Sequence, residues 1–105
     1  MANLFEASRN GITSSTGTVT LDTKRSTWFN QIVVNKGTAT TGTLTLKYTL
    51  GGVTSNIVDS EGDNVTLSLS SQPSPVKFEG LADSIVIEQS ENNGTFSVLF
   101  VGISS

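Results

Sequence analysis

Thr43-Leu44-Thr45-Leu46-Lys47-Tyr48-Thr49-Leu50, followed at once by Gly51-Gly52, constrains this chain more than any other segment. A strand repeats every two residues, so Leu44, Leu46, Tyr48 and Leu50 share one face and Thr43, Thr45, Lys47 and Thr49 share the other. One apolar stripe is buried and a β-branched hydroxyl face stays wet. Gly51-Gly52 suits the positive φ angles of a tight primed turn, which folds Val53-Thr54-Ser55 back alongside. A helix cannot use this order, because period two scatters its leucines around the helical cylinder.

The same alternation recurs along the 105 residues. Strands are expected at Thr18–Leu21, Thr27–Val34, Val53–Val58, Val65–Leu69, Val76–Phe78, Ser84–Glu88 and Thr95–Ile103. Gln72-Pro73-Ser74-Pro75 interrupts the ladder, since proline has no N–H to donate. Gly80-Leu81-Ala82-Asp83 reads as a corner, and Asn92-Asn93-Gly94 as a hairpin turn. About eight short strands without helical periodicity indicate an all-β, two-layer antiparallel β-sandwich, either jelly-roll or immunoglobulin-like. Residues 1–10 read as an N-terminal arm with Leu4 and Phe5 as its large apolar pair, and residues 11–105 as one domain. A hexapeptide recurs as Thr16-Gly17-Thr18-Val19-Thr20-Leu21 and Thr41-Gly42-Thr43-Leu44-Thr45-Leu46. Two copies fall short of a solenoid and read as two strands begun by similar turns.

Composition excludes most chemistry. There is no histidine and no cysteine, so neither Ser-His-Asp nor Cys-His arrangements can be built, and the usual zinc ligand sets are missing. Carboxylates remain, but they fall mostly at turns and strand ends, and no enzymatic activity or cofactor is expected. Asp59, Glu61 and Asp63 stand at alternate positions, a spacing at which hard oxygen ligands can wrap calcium, although Gly62 does not fall where an EF-hand loop turns. A solvated loop tip is the simpler reading, and no metal site is expected.

The net charge of −3 and the scatter of the six basic residues, of which only Lys24-Arg25 are adjacent, argue against nucleic acid. No apolar run approaches the length of about 18 residues that marks a spanning helix. The opening Met1-Ala2-Asn3-Leu4-Phe5-Glu6 lacks the pattern of a secretory signal, so synthesis in a cytoplasm is expected. Asn64-Val65-Thr66 and Asn93-Gly94-Thr95 match the glycosylation pattern by accident on that reading.

The last strand departs from simple alternation. Phe96, Val98 and Phe100 occupy one face while Leu99, Val101 and Ile103 occupy the other. A strand apolar on both faces either lies at an interface or is covered by the arm or a loop.

From Trp28 to Ile103 the order of features resembles small all-β structural proteins of tailed bacteriophages. The shared look lies in the hairpin Thr45 to Gly52, the corner Phe78-Glu79-Gly80-Leu81-Ala82-Asp83-Ser84-Ile85-Val86-Ile87, and the closing strand Gly94-Thr95-Phe96-Ser97-Val98. The resemblance implies a non-enzymatic virion protein of the capsid decoration or cement kind, made in the host cytoplasm and located in the virion, and binding to the capsid lattice is expected through apolar and strand-edge contacts. It implies the major capsid protein or other virion proteins as partners, and a homo-oligomer, a trimer suiting capsid local three-folds. The expected protein contacts are Leu4, Phe5, Leu99, Val101 and Ile103. The competing expectation is a tail or fibre module that binds a host glycan or receptor through exposed Trp28, Phe29 or Tyr48.

Overall fold

The structure, a computed structural model, describes residues 3–13, 16–23 and 27–104. The described residues form nine strands: β1 Asn3–Ile12, β2 Gly17–Asp22, β3 Trp28–Asn35, β4 Thr43–Leu50, β5 Val53–Asn56, β6 Thr66–Ser68, β7 Val76–Phe78, β8 Ser84–Ser90 and β9 Phe96–Ser104. They build two antiparallel sheets. Sheet I has the order β1-β9-β3-β7, and sheet II has the order β2-β8-β4-β5 with β6 also paired to β4.

Consecutive strands cross between the sheets at almost every step. Only β4, β5 and β6 follow one another within a sheet, with β5 and β6 lying end to end along one flank of β4. This alternation is the jelly-roll arrangement, and it excludes the immunoglobulin-like order, in which the first two strands share a sheet. The Thr/Leu ladder is the centre of sheet II: β4 pairs with β8 from Thr43 to Thr49 on one side and with β5 and β6 on the other. Leu44 and Leu46 are fully buried, and Gly51 and Gly52 take φ of 61° and 82°, the primed turn that a two-residue hairpin needs. The repeated hexapeptide opens β2 and β4, two strands of the same sheet.

The core lies between the sheets. Sheet I contributes Ile32, Val34, Phe96, Val98 and Phe100, and sheet II contributes Val19, Leu21, Leu44, Leu46, Ile85 and Ile87. Each fully buried aliphatic or aromatic side chain contributes about 1.5–3 kcal/mol of burial free energy. Tyr48 reaches across from β4 to place its ring 4.9 Å from that of Phe78 on β7.

Two expectations change. Asn92-Asn93-Gly94 does not make a hairpin, because β8 and β9 belong to different sheets. The asparagines use their side chains to bind the crossover. Asn92, only 5% exposed, accepts the Gly94 N–H at 3.0 Å and donates to the Gly94 carbonyl at 2.9 Å and the Ile12 carbonyl at 3.4 Å. The Asn93 Oδ1 accepts the N–H groups of Thr40 and Thr41 at 2.9 and 3.0 Å. Such side-chain to backbone bonds compete with the tight turn that Asn-Gly otherwise favours.

The second change concerns the N-terminal segment. Residues 3–10, read as part of an arm, continue through Gly11 and Ile12 as a full edge strand paired along β9 from Asn3↔Ser104 to Ile12↔Phe96. One extra residue between Arg9 and Ile12 makes a bulge, with Gly11 at φ 66°. The alternation is faint in sequence because the inward positions hold Phe5 and small Ala7.

Phe100 sits at 0% exposure between the sheets. Phe100→Ala is expected to lower stability by about 3–5 kcal/mol in urea unfolding. Thr45→Ala, on the wet face of β4, is expected to stay within about 0.5 kcal/mol of the parent.

Candidate functional site

Because β9 is an inner strand, its inward residues are spent on the core and its odd-numbered residues are turned outward. The pairing fixes which side chains share that outward face. One cross-strand rank runs Leu4–Ile103. The next runs Glu6–Val101–Gln31–Lys77, and the third runs Ser8–Leu99–Val33. Asn35 and Ser97 follow as a pair. Glu79, two residues beyond Lys77 at the end of β7, carries a second exposed acid near the Ile103 end.

The centre of this face is apolar. Leu99, Val101 and Val33 are half-buried by their neighbours. Leu4 at 63% and Ile103 at 36% exposure stand directly opposite each other, so they form one patch rather than isolated residues. Two shallow depressions flank the ridge. One of about 400 Å³ is lined by Asn30, Gln31, Lys77, Glu79, Val101 and Ile103. The other, about 310 Å³, is lined by Asn10, Val33, Asn35, Ser97, Val98 and Leu99.

Four of the five expected contact residues, Leu4, Leu99, Val101 and Ile103, therefore meet on one face. Phe5 does not. It pairs opposite Gly102 on the inward side and sets its ring edge-on to Phe100 at 6.4 Å and 62°. The period-two rule separates it from Leu4, which an unstructured arm would not. Sequence reading missed Val33, Glu6 and Lys77, whose membership depends on register between distant strands.

Gly102 brings the sheet I backbone close to a buried polar group. A Cβ there would lie 2.5 Å from the Asn30 Oδ1 and 2.8 Å from the Thr27 Cβ. Asn30 is 2% exposed and donates its Nδ2 to the Gly80 carbonyl at 2.7 Å, tying β3 to the corner before β8. Among the described residues its Oδ1 has no hydrogen-bond partner.

The opposite face of the molecule differs in chemistry. Sheet II presents the ranks Thr18–Glu88–Thr45–Thr66, Thr20–Val86–Lys47–Asn56 and Asp22–Ser84–Thr49–Thr54. Lys47 is ion-paired with Glu88, and the Thr49 and Thr54 hydroxyls are 2.8 Å apart.

Other candidates take structural roles. The Asp59 Oδ1 accepts the N–H groups of Glu61 and Asp63 at 2.9 and 3.0 Å, so the alternating acids form a self-capped turn. Among the described residues, no group of three or more acidic side chains stands close enough to hold a metal ion. No helix among them is long and apolar enough to cross a membrane. The Tyr48 ring packs against Phe78 and is not offered as a stacking platform. The side chains of Trp28 and Phe29, and the pair Lys24-Arg25, lie outside the described residues.

The sequence matches no protein-family model and no curated protein. The fold does have solved neighbours. The crystal structure of the SPBc2 prophage-derived protein YomS is similar with a TM-score of 0.61. The likeness covers 97% of this chain and 96% of that one at 12% sequence identity. At that identity the agreement is one of fold: two chains of nearly equal extent share the sandwich.

Outward and inward residues of sheet I should separate in unfolding experiments. Leu99→Ser and Val101→Ser are expected to change stability by no more than about 1 kcal/mol each, whereas Phe5→Ser is expected to cost about 2 kcal/mol. Urea midpoints of the three variants check this ordering.

Proposed function

We propose that this chain is a non-enzymatic structural protein of a bacteriophage virion, of the capsid decoration or cement kind. The observation that carries the reading is the outward apolar face of sheet I, where Leu4, Leu99, Val101, Ile103 and Val33 lie together. An apolar patch on a small domain whose other face is hydroxyl-rich suits adhesion on one side and solvation on the other. Removing such a patch from water contributes about 25 cal/mol per Å², which is the driving force a protein needs to bind a lattice without chemistry.

Three further features support the reading. The similar solved structure is that of a prophage-derived protein and spans nearly the whole chain. With neither histidine nor cysteine, the sequence lacks the usual nucleophile–base pairs and the thiols whose state would vary between cell and environment. At the β7 edge the strand is three residues long and follows Pro73 and Pro75, which restrains unwanted pairing there, while the ten-residue edge strand β1 gives the other edge a length suited to strand-edge contacts. On this proposal the partners are the major capsid protein or other virion proteins, and the protein resides in the virion.

Mass spectrometry and cryo-electron microscopy of particles purified from cells making this chain provide the test. The chain is expected in stoichiometric amounts on the particle surface. The double substitution Leu99→Ser and Val101→Ser is expected to lower its occupancy at least tenfold while the free protein stays folded. Absence of the parent chain from particles would refute the virion assignment.

A further inference from the structure

We infer that the outer face of sheet I is self-complementary and that a second copy of this chain packs on it face to face about a two-fold axis parallel to the strands. The inference rests on the reading of this face as a protein-binding surface and names its occupant. Its basis is the rank Glu6–Val101–Gln31–Lys77. That rank crosses all four strands of the sheet, with an exposed acid at the β1 end, an exposed base at the β7 end and the apolar ridge between. At the usual strand spacing of about 4.8 Å its ends are about 14 Å apart.

Two identical sheets can face each other about a two-fold axis in two limiting ways. With the axis perpendicular to the strands, each strand lies over its own copy. Glu6 then meets Glu6 and Lys77 meets Lys77, so both ends repel. With the axis parallel to the strands and between β9 and β3, strand order reverses across the interface. Glu6 then meets Lys77 of the other copy at both ends, Leu99 meets Val33 twice, and Val101 meets Gln31 twice. The charges thus select one arrangement of the two and bring the apolar residues together.

The angle of about 30° between packed sheets shifts the ends of a rank by a few ångströms, within the reach of a lysine side chain. Glu79 meets Leu4 at the rim, where water screens it. The face measures about 19 Å by 23 Å from strand spacing and rise, or about 400 Å² per copy. An interface of that size is weak and concentration-dependent in solution. It strengthens where copies are held together on a lattice, because the second contact becomes intramolecular. A two-fold pair replaces the three-fold assembly that the capsid resemblance implies.

Charge reversal tests this. Sedimentation velocity from about 10 μM to about 1 mM is expected to show the parent chain passing from monomer to dimer. E6K and K77E alone each place like charges at both ends, and each is expected to dimerise at least tenfold more weakly. Mixed in equal amounts, the two variants place opposite charges at both ends and are expected to form a heterodimer at about the parent's affinity. Recovery in the mixture also shows that both variants are folded. The inference is overturned if the single variants dimerise like the parent, if the mixture fails to recover, if the parent forms trimers, or if it stays monomeric throughout. In the last case, particle occupancy that still depends on Leu99 and Val101 leaves the virion proposal standing and assigns the face to a different partner.

Discussion

Strand β9 pairs with two strands at once, β1 on one flank and β3 on the other, and sheet I depends on that double pairing. The register places Phe96, Val98 and Phe100 against sheet II, where all three are almost completely buried. With these inward positions fixed, the pleat leaves no freedom for the remainder. Leu99, Val101 and Ile103 point away from the core because Val98, Phe100 and Gly102 point into it. The apolar outer face is thus a geometric consequence of the core register. What is not forced is its composition: polar residues at 99, 101 and 103 would serve the fold as well as Thr43, Thr45 and Thr49 serve sheet II. The contrast between the two outer faces is the observation on which the proposed binding role rests.

Legibility in the sequence follows the range of the interactions involved. The Thr43–Leu50 strand and its Gly51-Gly52 turn were readable because alternation and turn chemistry act over neighbouring residues. The doubly apolar character of residues 96–103 was readable for the same reason. Strand order was not, since it is decided by which distant stripes fit together between the sheets. The asparagines at 92 and 93 misled because their local preference for a primed turn lost to side-chain bonds with Ile12, Thr40 and Thr41, partners more than fifty residues away. Phe5 and Leu4 looked equivalent as an apolar pair. Only a strand at positions 3–12 sends one to Phe100 and the other to Ile103.

The site was half legible by the same measure. Leu4, Leu99, Val101 and Ile103 could be named from apolar residues out of place. Glu6, Val33 and Lys77 carry no local signal. They join the face because β1, β3 and β7 happen to be the neighbours of β9 and its neighbour, which is a property of topology alone. The acidic loop at 59–63 shows the converse. A spacing suggestive of a ligand set is explained by one aspartate closing its own turn.

The pairing of Asn3 with Ser104 has a consequence for how the molecule comes into being. Of the nine strands β1 is made before the other eight, and its hydrogen-bonding partner β9 after them. At synthesis rates of about 5–20 residues per second, β1 waits for seconds with Leu4 and Phe5 uncovered. Ordering must begin elsewhere, with the β4–β5 hairpin as the most local pairing, and closure of sheet I is the terminal event. Partners separated by nearly the whole chain also place this fold among slow folders. Newly made copies therefore pass through a stage in which one edge of the unfinished sheet is open, and the last strand to arrive is the one that closes it.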